Sequence, residues 1–362
     1  IDPAFGTKDD LRRLVDGVHA RGMRILLDGV FNHCGYWWDK FQDVVKNGEA
    51  SPYCSWFFIH SYPVDAQRQN YDCVGHYKWM PKLNLADPDA RDYFLSVGRY
   101  WLEEFGIDGW RLDVADELPT AFLEAFAAAM RACKPDCILL GETWGDAGRL
   151  VSANRLDSAM NYLFRDAAAA WLAKDALSAS EFGCRLNRAL ALYPNETNLR
   201  MYNLLDSHDT ARFLYEADGD KARLRLASAL QMTFPGSPAI FYGDEVGLSG
   251  KRAVIYDTNT YNLPTLRHVR ADQEIVLNAE GLHSEKGMIE DMMRQLDHPD
   301  VIVAVGSGTI MDFGRYPAYH LGIPFVAVPT LASSDGFTAN ICSIIIDGQK
   351  KSIPMQAAAR VV

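Results

Sequence analysis

Gly109-Trp110-Arg111-Leu112-Asp113 is a short apolar run that ends on an arginine and a carboxylate, and what surrounds it decides the fold. Asp89–Phe105 ahead of it reads as a helix, and Ile107–Leu112 reads as a buried strand. The same unit recurs on both sides. Lys8–Arg21 places Leu11, Leu14, Val15 and Val18 on one helical face, is stopped by Gly22, and feeds the run Met23–Asp28. Ala121–Cys133 precedes Cys137–Leu140, and Lys221–Thr233 precedes Pro238–Tyr242. Ser158–Tyr162 and Leu199–Leu204 are further strands, with helical sequence between them.

Strand–helix alternation of this kind makes a parallel sheet covered by helices. Six strands are expected before residue 250, against the eight of a closed (β/α)8 barrel. The expected fold is therefore α/β, an incomplete (β/α)8 TIM barrel over residues 1–250 with a long loop insertion at 34–84. That insertion is rich in Trp, Tyr and Phe, which suits sugar stacking, and loops of this length are usually functional. After Gly250 the character changes: Ala253–Asp257, Gln273–Leu277, Val301–Val305 and Pro324–Thr330 read as strands, and Asn340–Pro354 as a hairpin around Asp347-Gly348. Residues 251–362 are expected to form a partial Rossmann-like α/β domain.

Composition sets the outer bounds. A chain of 362 residues suggests about two domains, and 48% apolar with 23% charged residues is ordinary globular usage. A net charge of −11 argues against nucleic acid as a partner but not against a neutral sugar. No apolar run approaches the ~20 residues that span a membrane. Seven scattered cysteines fit reduced thiols in the cytoplasm, and Cys133-x3-Cys137 lacks the partners of a zinc site. Ile1-Asp2-Pro3 reads like the middle of a loop, so the N-terminus is expected to be cut, which leaves a lost leader open. Nothing in the sequence sets an oligomeric state.

The strand ends carry the chemistry. They are Asp28-Gly29-Val30-Phe31-Asn32-His33, Arg111-Leu112-Asp113, Gly141-Glu142-Thr143-Trp144 and Asn203-Leu204-Leu205-Asp206-Ser207-His208-Asp209. Asp113 and Glu142 end successive strands, where their side chains can meet over a barrel mouth. Cleavage of a glycosidic bond with retention needs such a pair, a nucleophile and an acid/base about 5–5.5 Å apart. Arg111 shares a strand face with Asp113 and can hold it ionised. His33 and His208 can donate to sugar hydroxyls, and Asp209 can bind a hydroxyl pair as the ring flattens.

These segments resemble the α-amylase family of glycoside hydrolases, and Met80-Pro81-Lys82-Leu83-Asn84 resembles its neopullulanase, cyclomaltodextrinase and maltogenic amylase subgroup. The resemblance covers about residues 1–250 and extends to Pro238–Glu245, which looks like the family's last barrel strand. It implies hydrolysis or transglycosylation of α-1,4-glucosidic bonds in maltodextrin, cyclodextrin or pullulan, without a cofactor. It makes Asp113 the nucleophile, Glu142 the acid/base and Asp209 the transition-state stabiliser, with His33, Arg111 and His208 lining the reacting subsite.

Further on, Gly306-Ser307-Gly308-Thr309-Ile310-Met311-Asp312 follows a buried strand and opens a helix, the geometry that seats a pyrophosphate. Together with Val328–Gly336 it resembles the nucleotide domain of glycerol-1-phosphate dehydrogenases, within the iron-type alcohol dehydrogenase superfamily. That resemblance implies NAD(P) contacts from Gly306, Ser307, Gly308, Thr309, Asp312, Thr330 and Ser333, with Asp335 facing a substrate. The family's metal ligands would follow Val362, and His268, His283, His298 and His320 do not match them, so no metal is expected. Three readings follow: an α-glucan hydrolase, which leads; an NAD(P)-dependent glycerol-1-phosphate dehydrogenase fragment; and a chimeric chain with neither activity.

Overall fold

The computed structural model describes residues 1–3, 5–263, 271–330 and 341–355, and the backbone of 360–361. Two compact units emerge: Ile1–Leu205 with Ala227–Ala239, and Asp206–Leu226 with Ile240–Val362.

In the first unit, β1 (Leu26–Gly29), β2 (Gly109–Leu112), β3 (Ile138–Gly141) and β4 (Ser158–Ala159) form a parallel sheet in sequence order. A parallel bridge from Met160 to Tyr202 carries the series on to β5 (Tyr202–Leu204), which pairs with β6 (Ser237–Ala239). Each strand thus lies beside its predecessor, the winding of a barrel rather than of an open doubly wound sheet. The register sets Asp28 opposite Arg111 and Leu112 opposite Gly141, so the three chain segments leave the sheet at one level.

Local chemistry fixes the ends. Thr7 and Asp10 make a reciprocal cap at the start of Lys8–His19. Asp87 caps Pro88–Phe105, which ends at Gly106 in the left-handed region. The expected strand Ser158–Tyr162 stops at Ala159, because the Asn161 side chain accepts from Phe164 N–H and starts a helix at Tyr162. The expected strand Leu199–Leu204 keeps only its last three residues, and Pro238–Tyr242 shifts to Ser237–Ala239.

The insertion at 34–84 is more ordered than an irregular loop. It holds a helix, Asp39–Asn47, and a short antiparallel ladder in which Cys34 and Tyr36 donate to the carbonyls of Pro81 and Trp79. Most of its aromatics are core: Phe41 packs on Phe57 and Tyr71 at centroid distances of 4.9 and 5.0 Å. Lys40 lies within 4.7–5.9 Å of the rings of Tyr93, Trp38, Tyr53 and Trp56. Trp37, Tyr77 and Trp79 stay exposed.

In the second unit, β7 (Arg252–Asp257), β8 (Gln273–Leu277), β9 (Val301–Gly306), β10 (Phe325–Pro329) and β13 (Arg360–Val361) form a parallel sheet in the order β13-β10-β9-β7-β8. This order reverses between β7 and β9, the switch point of a doubly wound sheet. The hairpin forms as expected, with β11 (Ile341–Ile346) and β12 (Gln349–Pro354) joined by Asp347 and Gly348 at positive φ.

Candidate active site

Arg111 organises the first unit's strand ends. Its side chain is 12% exposed, and Nη1 donates to Asp28 Oδ1 at 2.8 Å and to Asp113 Oδ1 at 2.6 Å. Nη2 lies 2.9 Å from Glu142 Oε2. Burial alone would lower the guanidinium's pKa, but Asp28, Glu142 and Asp113 outweigh it and raise it, so Arg111 is a permanent cation. One cation thus orients three carboxylates from three adjacent strands.

The backbone fixes those carboxylates further. Glu142 is 4% exposed, and its Oε2 accepts Val114 N–H at 3.0 Å. Asp113 N–H donates to Gly29 O, and Glu142 N–H to Leu112 O. Val114, immediately after Asp113, sits at φ 45°, a left-handed conformation costly for a β-branched residue. That bend turns the chain away and leaves Asp113 at the edge of the sheet.

His33 Nε2 is 3.8 Å from Asp113 Oδ2. Burial lowers the imidazole's pKa, against the pull of Asp113 and Glu117, and favours the neutral ring. Its Nδ1 is buried and has no hydrogen-bond partner among the described residues. Glu117 binds Asn32 Nδ2 at 3.1 Å and Lys82 Nζ at 2.8 Å, tying the loop after β1 to the Met80–Asn84 segment. Burial would raise the Glu117 pKa, but Lys82 and Asn32 bring it below the usual value. Trp144, two residues beyond Glu142, stacks on Tyr162 at 4.1 Å. Asp28, Lys82 and Glu117 were not singled out by sequence reasoning, although Asp28 and Lys82 lay inside motifs it quoted.

The structure therefore brings His33, Arg111, Asp113 and Glu142 together. His208 and Asp209 belong to the second unit, where His208 Nε2 lies 3.2 Å from Asp209 Oδ2 and both are exposed. Their loop is held by Asp206, whose Oδ2 accepts Phe213 N–H at 2.7 Å. Burial and then the neighbouring Asp206 push the Asp244 carboxyl up to about 7, against Arg212 at 3.3 Å.

At the other end of the second unit, β9 runs through Gly306 and Ser307 into the helix Gly308–Leu321. Ser307 makes no side-chain cap hydrogen bond at the start of that helix. Thr330 N–H donates to Gly306 O. Asp312 is spent elsewhere: it accepts from Ser284 Oγ at 2.8 Å and from Ser343 N–H at 3.2 Å. Ser333 and Asp335 lie outside the described residues. No group of three His, Cys, Asp or Glu among the described residues is placed to hold a metal ion.

Sequence-ordered parallel strands with two carboxylates on one guanidinium at their carboxyl ends define a barrel-type carboxylate site. The chain matches the family model of the alpha amylase catalytic domain over residues 1–296, and it belongs to that family. A second model, iron-containing alcohol dehydrogenase, matches residues 243–362. A cyclomaltodextrinase of Geobacillus thermopakistaniensis is 45% identical over 75% of this chain and 47% of its own length. Neopullulanase 2 of Thermoactinomyces vulgaris is 43% identical over 72% of this chain and 46% of its own. The solved structure of a cyclomaltodextrinase is 46% identical with a TM-score of 0.67, covering 69% of this chain and 43% of that one. The chain spans about half the length of the curated relatives it matches.

Proposed function

We propose that this protein cleaves α-1,4-glucosidic bonds of maltodextrin, cyclodextrin or pullulan with retention, residues 1–250 supplying the chemistry. The observation that carries this is the shared grip of Arg111 on Asp113 and Glu142. Two carboxylates on the two nitrogens of one guanidinium are close enough to act on the same bond, and retention is the outcome the family resemblance implies.

Asp113 attacks the anomeric carbon while Glu142 gives its proton to the departing glycosidic oxygen. The C–O bond breaks and a glycosyl ester on Asp113 forms. Glu142 then takes a proton from water, whose oxygen displaces Asp113 and regenerates both groups. A sugar hydroxyl in place of water gives transglycosylation. Arg111 holds the Asp113 carboxylate in place for the attack. His33 binds a hydroxyl of the reacting sugar, while the roles of His208 in hydroxyl binding and of Asp209 in stabilising the flattened ring rest on the family resemblance alone. The relatives' names, cyclomaltodextrinase and neopullulanase, support this substrate class.

The test is release of reducing sugar from β-cyclodextrin and maltoheptaose by the full chain. Glu142→Gln and Asp113→Asn should each lower kcat on the order of a thousand-fold or more. A variant that retains parental activity removes that residue from its role.

A second reading concerns residues 251–362, favoured by the reversal of strand order beside the Gly306–Gly308 turn. Gly306, Ser307, Gly308, Thr309 and Thr330 would hold the pyrophosphate of NAD(P), in a Rossmann-like arrangement. The cofactor would supply hydride transfer when bound. Asp312 is left to its structural bonds.

A further inference from the structure

Trp37 and Trp79 are 75% and 49% exposed, in an insertion whose other large aromatics are mostly packed. Their rings lie within 15° of parallel with centroids 6.4 Å apart, too far for face-to-face contact, so each keeps open surface. Both stand on Tyr36, which is buried and meets each indole edge-on, at 5.0 and 5.1 Å. The backbone beneath is pinned: Tyr36 N–H donates to Trp79 O at 2.9 Å, Gln42 Nε2 to Tyr36 O at 2.7 Å, and Tyr71 Oη to Lys78 O at 2.6 Å. Two indoles are thus held on a fixed base with much of their apolar surface in water.

We propose that Trp37 and Trp79 form an outer binding platform for an α-glucan chain whose scissile bond lies at Asp113 and Glu142. The inference rests on the glucan-cleaving function proposed above. A pyranose carries C–H groups on its faces and hydroxyls at its rim, so a flat aromatic takes the face and leaves the rim in water. A small group of exposed rings, Trp37, Trp79 and Tyr77, with the Lys78 ammonium 5.0 Å from the Trp79 ring, suits a sugar chain. Continuity with the reacting residues gives the occupant. His33 pairs with Lys82 on the same ladder that joins Tyr36 to Trp79. Tyr36 is three residue steps from His33, at most about 10 Å along the chain, a span that a malto-oligosaccharide of a few units covers.

The platform adds affinity for long chains without touching the bond that breaks. In the full chain, maltoheptaose should quench tryptophan fluorescence. The double variant Trp37→Ala with Trp79→Ala should bind it roughly ten-fold more weakly, while Trp37→Phe with Trp79→Phe keeps most of the affinity. KM for maltoheptaose should rise by a similar factor, with kcat on p-nitrophenyl maltoside unchanged. Equal maltoheptaose affinity in parent and double variant overturns the platform, as does a parent that binds no maltoheptaose at millimolar concentration. A double variant that loses self-association in sedimentation but keeps its glucan affinity overturns it too, and makes the patch a contact between copies. Binding that depends on both tryptophans in a chain that cleaves nothing upholds the platform and rejects the cleavage reading.

Discussion

Arg111 does its work through geometry, and the least obvious of its partners is Asp28. Asp28 and Arg111 face each other in the register of β1 and β2, and Nη1 divides itself between Asp28 and Asp113. Removing the Asp28 charge leaves the fold's core untouched, since its side chain is 54% exposed, but frees the guanidinium to turn. Asp28→Asn should lower kcat about ten- to a hundred-fold with little change in KM, circular dichroism staying parental; an unchanged kcat would give Asp28 no positioning role. Asp244 makes a prediction of the opposite kind. Its folded pKa, about 7, exceeds the ~3.9 of an unfolded Asp. The folded state therefore holds an extra proton between those values, and stability falls as pH rises from about 4 through about 7. Asp244→Asn should flatten this part of the urea-midpoint profile, and a parent-minus-variant difference that grows with pH would reverse the sign argued here. At this scale the sequence disclosed Arg111 and Asp113, because residues two apart on a strand share a face. It did not disclose Asp28 as a further partner of Arg111, or the Lys82–Glu117 link, because those pairings depend on register between segments distant in sequence.

Elements were legible wherever a helical period met a short apolar run, as at Pro88–Phe105 followed by Gly109–Leu112. Their ends were less so: Asn161 looked like strand interior until its cap on Phe164 N–H turned Tyr162 into a helix start. The insertion misled for a related reason. Its aromatics read as a sugar-binding surface, whereas most of them form a core, and composition alone does not separate the buried from the exposed. Close packing between strands supplies the test at this scale. A Cβ on Gly109 would sit 1.9 Å from Ile138 O, inside the β2–β3 ladder that aligns Asp113 with Glu142. Gly109→Ala should cost about 3 kcal/mol or more, or abolish soluble expression. Gly183→Ala is the control: its Cβ meets nothing within 4 Å in the helix Ala179–Ala191, and it should gain about 0.5–1 kcal/mol. Equal thermal midpoints for the two variants would contradict this account of the sheet.

At the scale of the whole chain, two windings follow one another. β1 to β6 run in sequence order, and β7 to β13 reverse at β9. The alternation of strand and helix foretold parallel sheets in both, but strand order was not in the pattern. The Gly306-Ser307-Gly308 turn foretold a strand-to-helix junction, which the structure has, yet Asp312 within the same motif is claimed by Ser284 and Ser343, whose nearness only the fold reveals. If that turn binds a dinucleotide, NADH fluorescence should change on mixing with the full chain, and Gly308→Trp should remove the change. An unaltered spectrum at millimolar NADH would leave the turn with a structural role alone. The central claim is retaining cleavage by Asp113 with Glu142, and the most direct test is the anomer first released from maltoheptaose, followed by proton NMR in the full chain and in Asp113→Asn. The account predicts that the α-anomer appears first and that Asp113→Asn releases neither anomer; initial β-anomer, or undiminished release by Asp113→Asn, would contradict it.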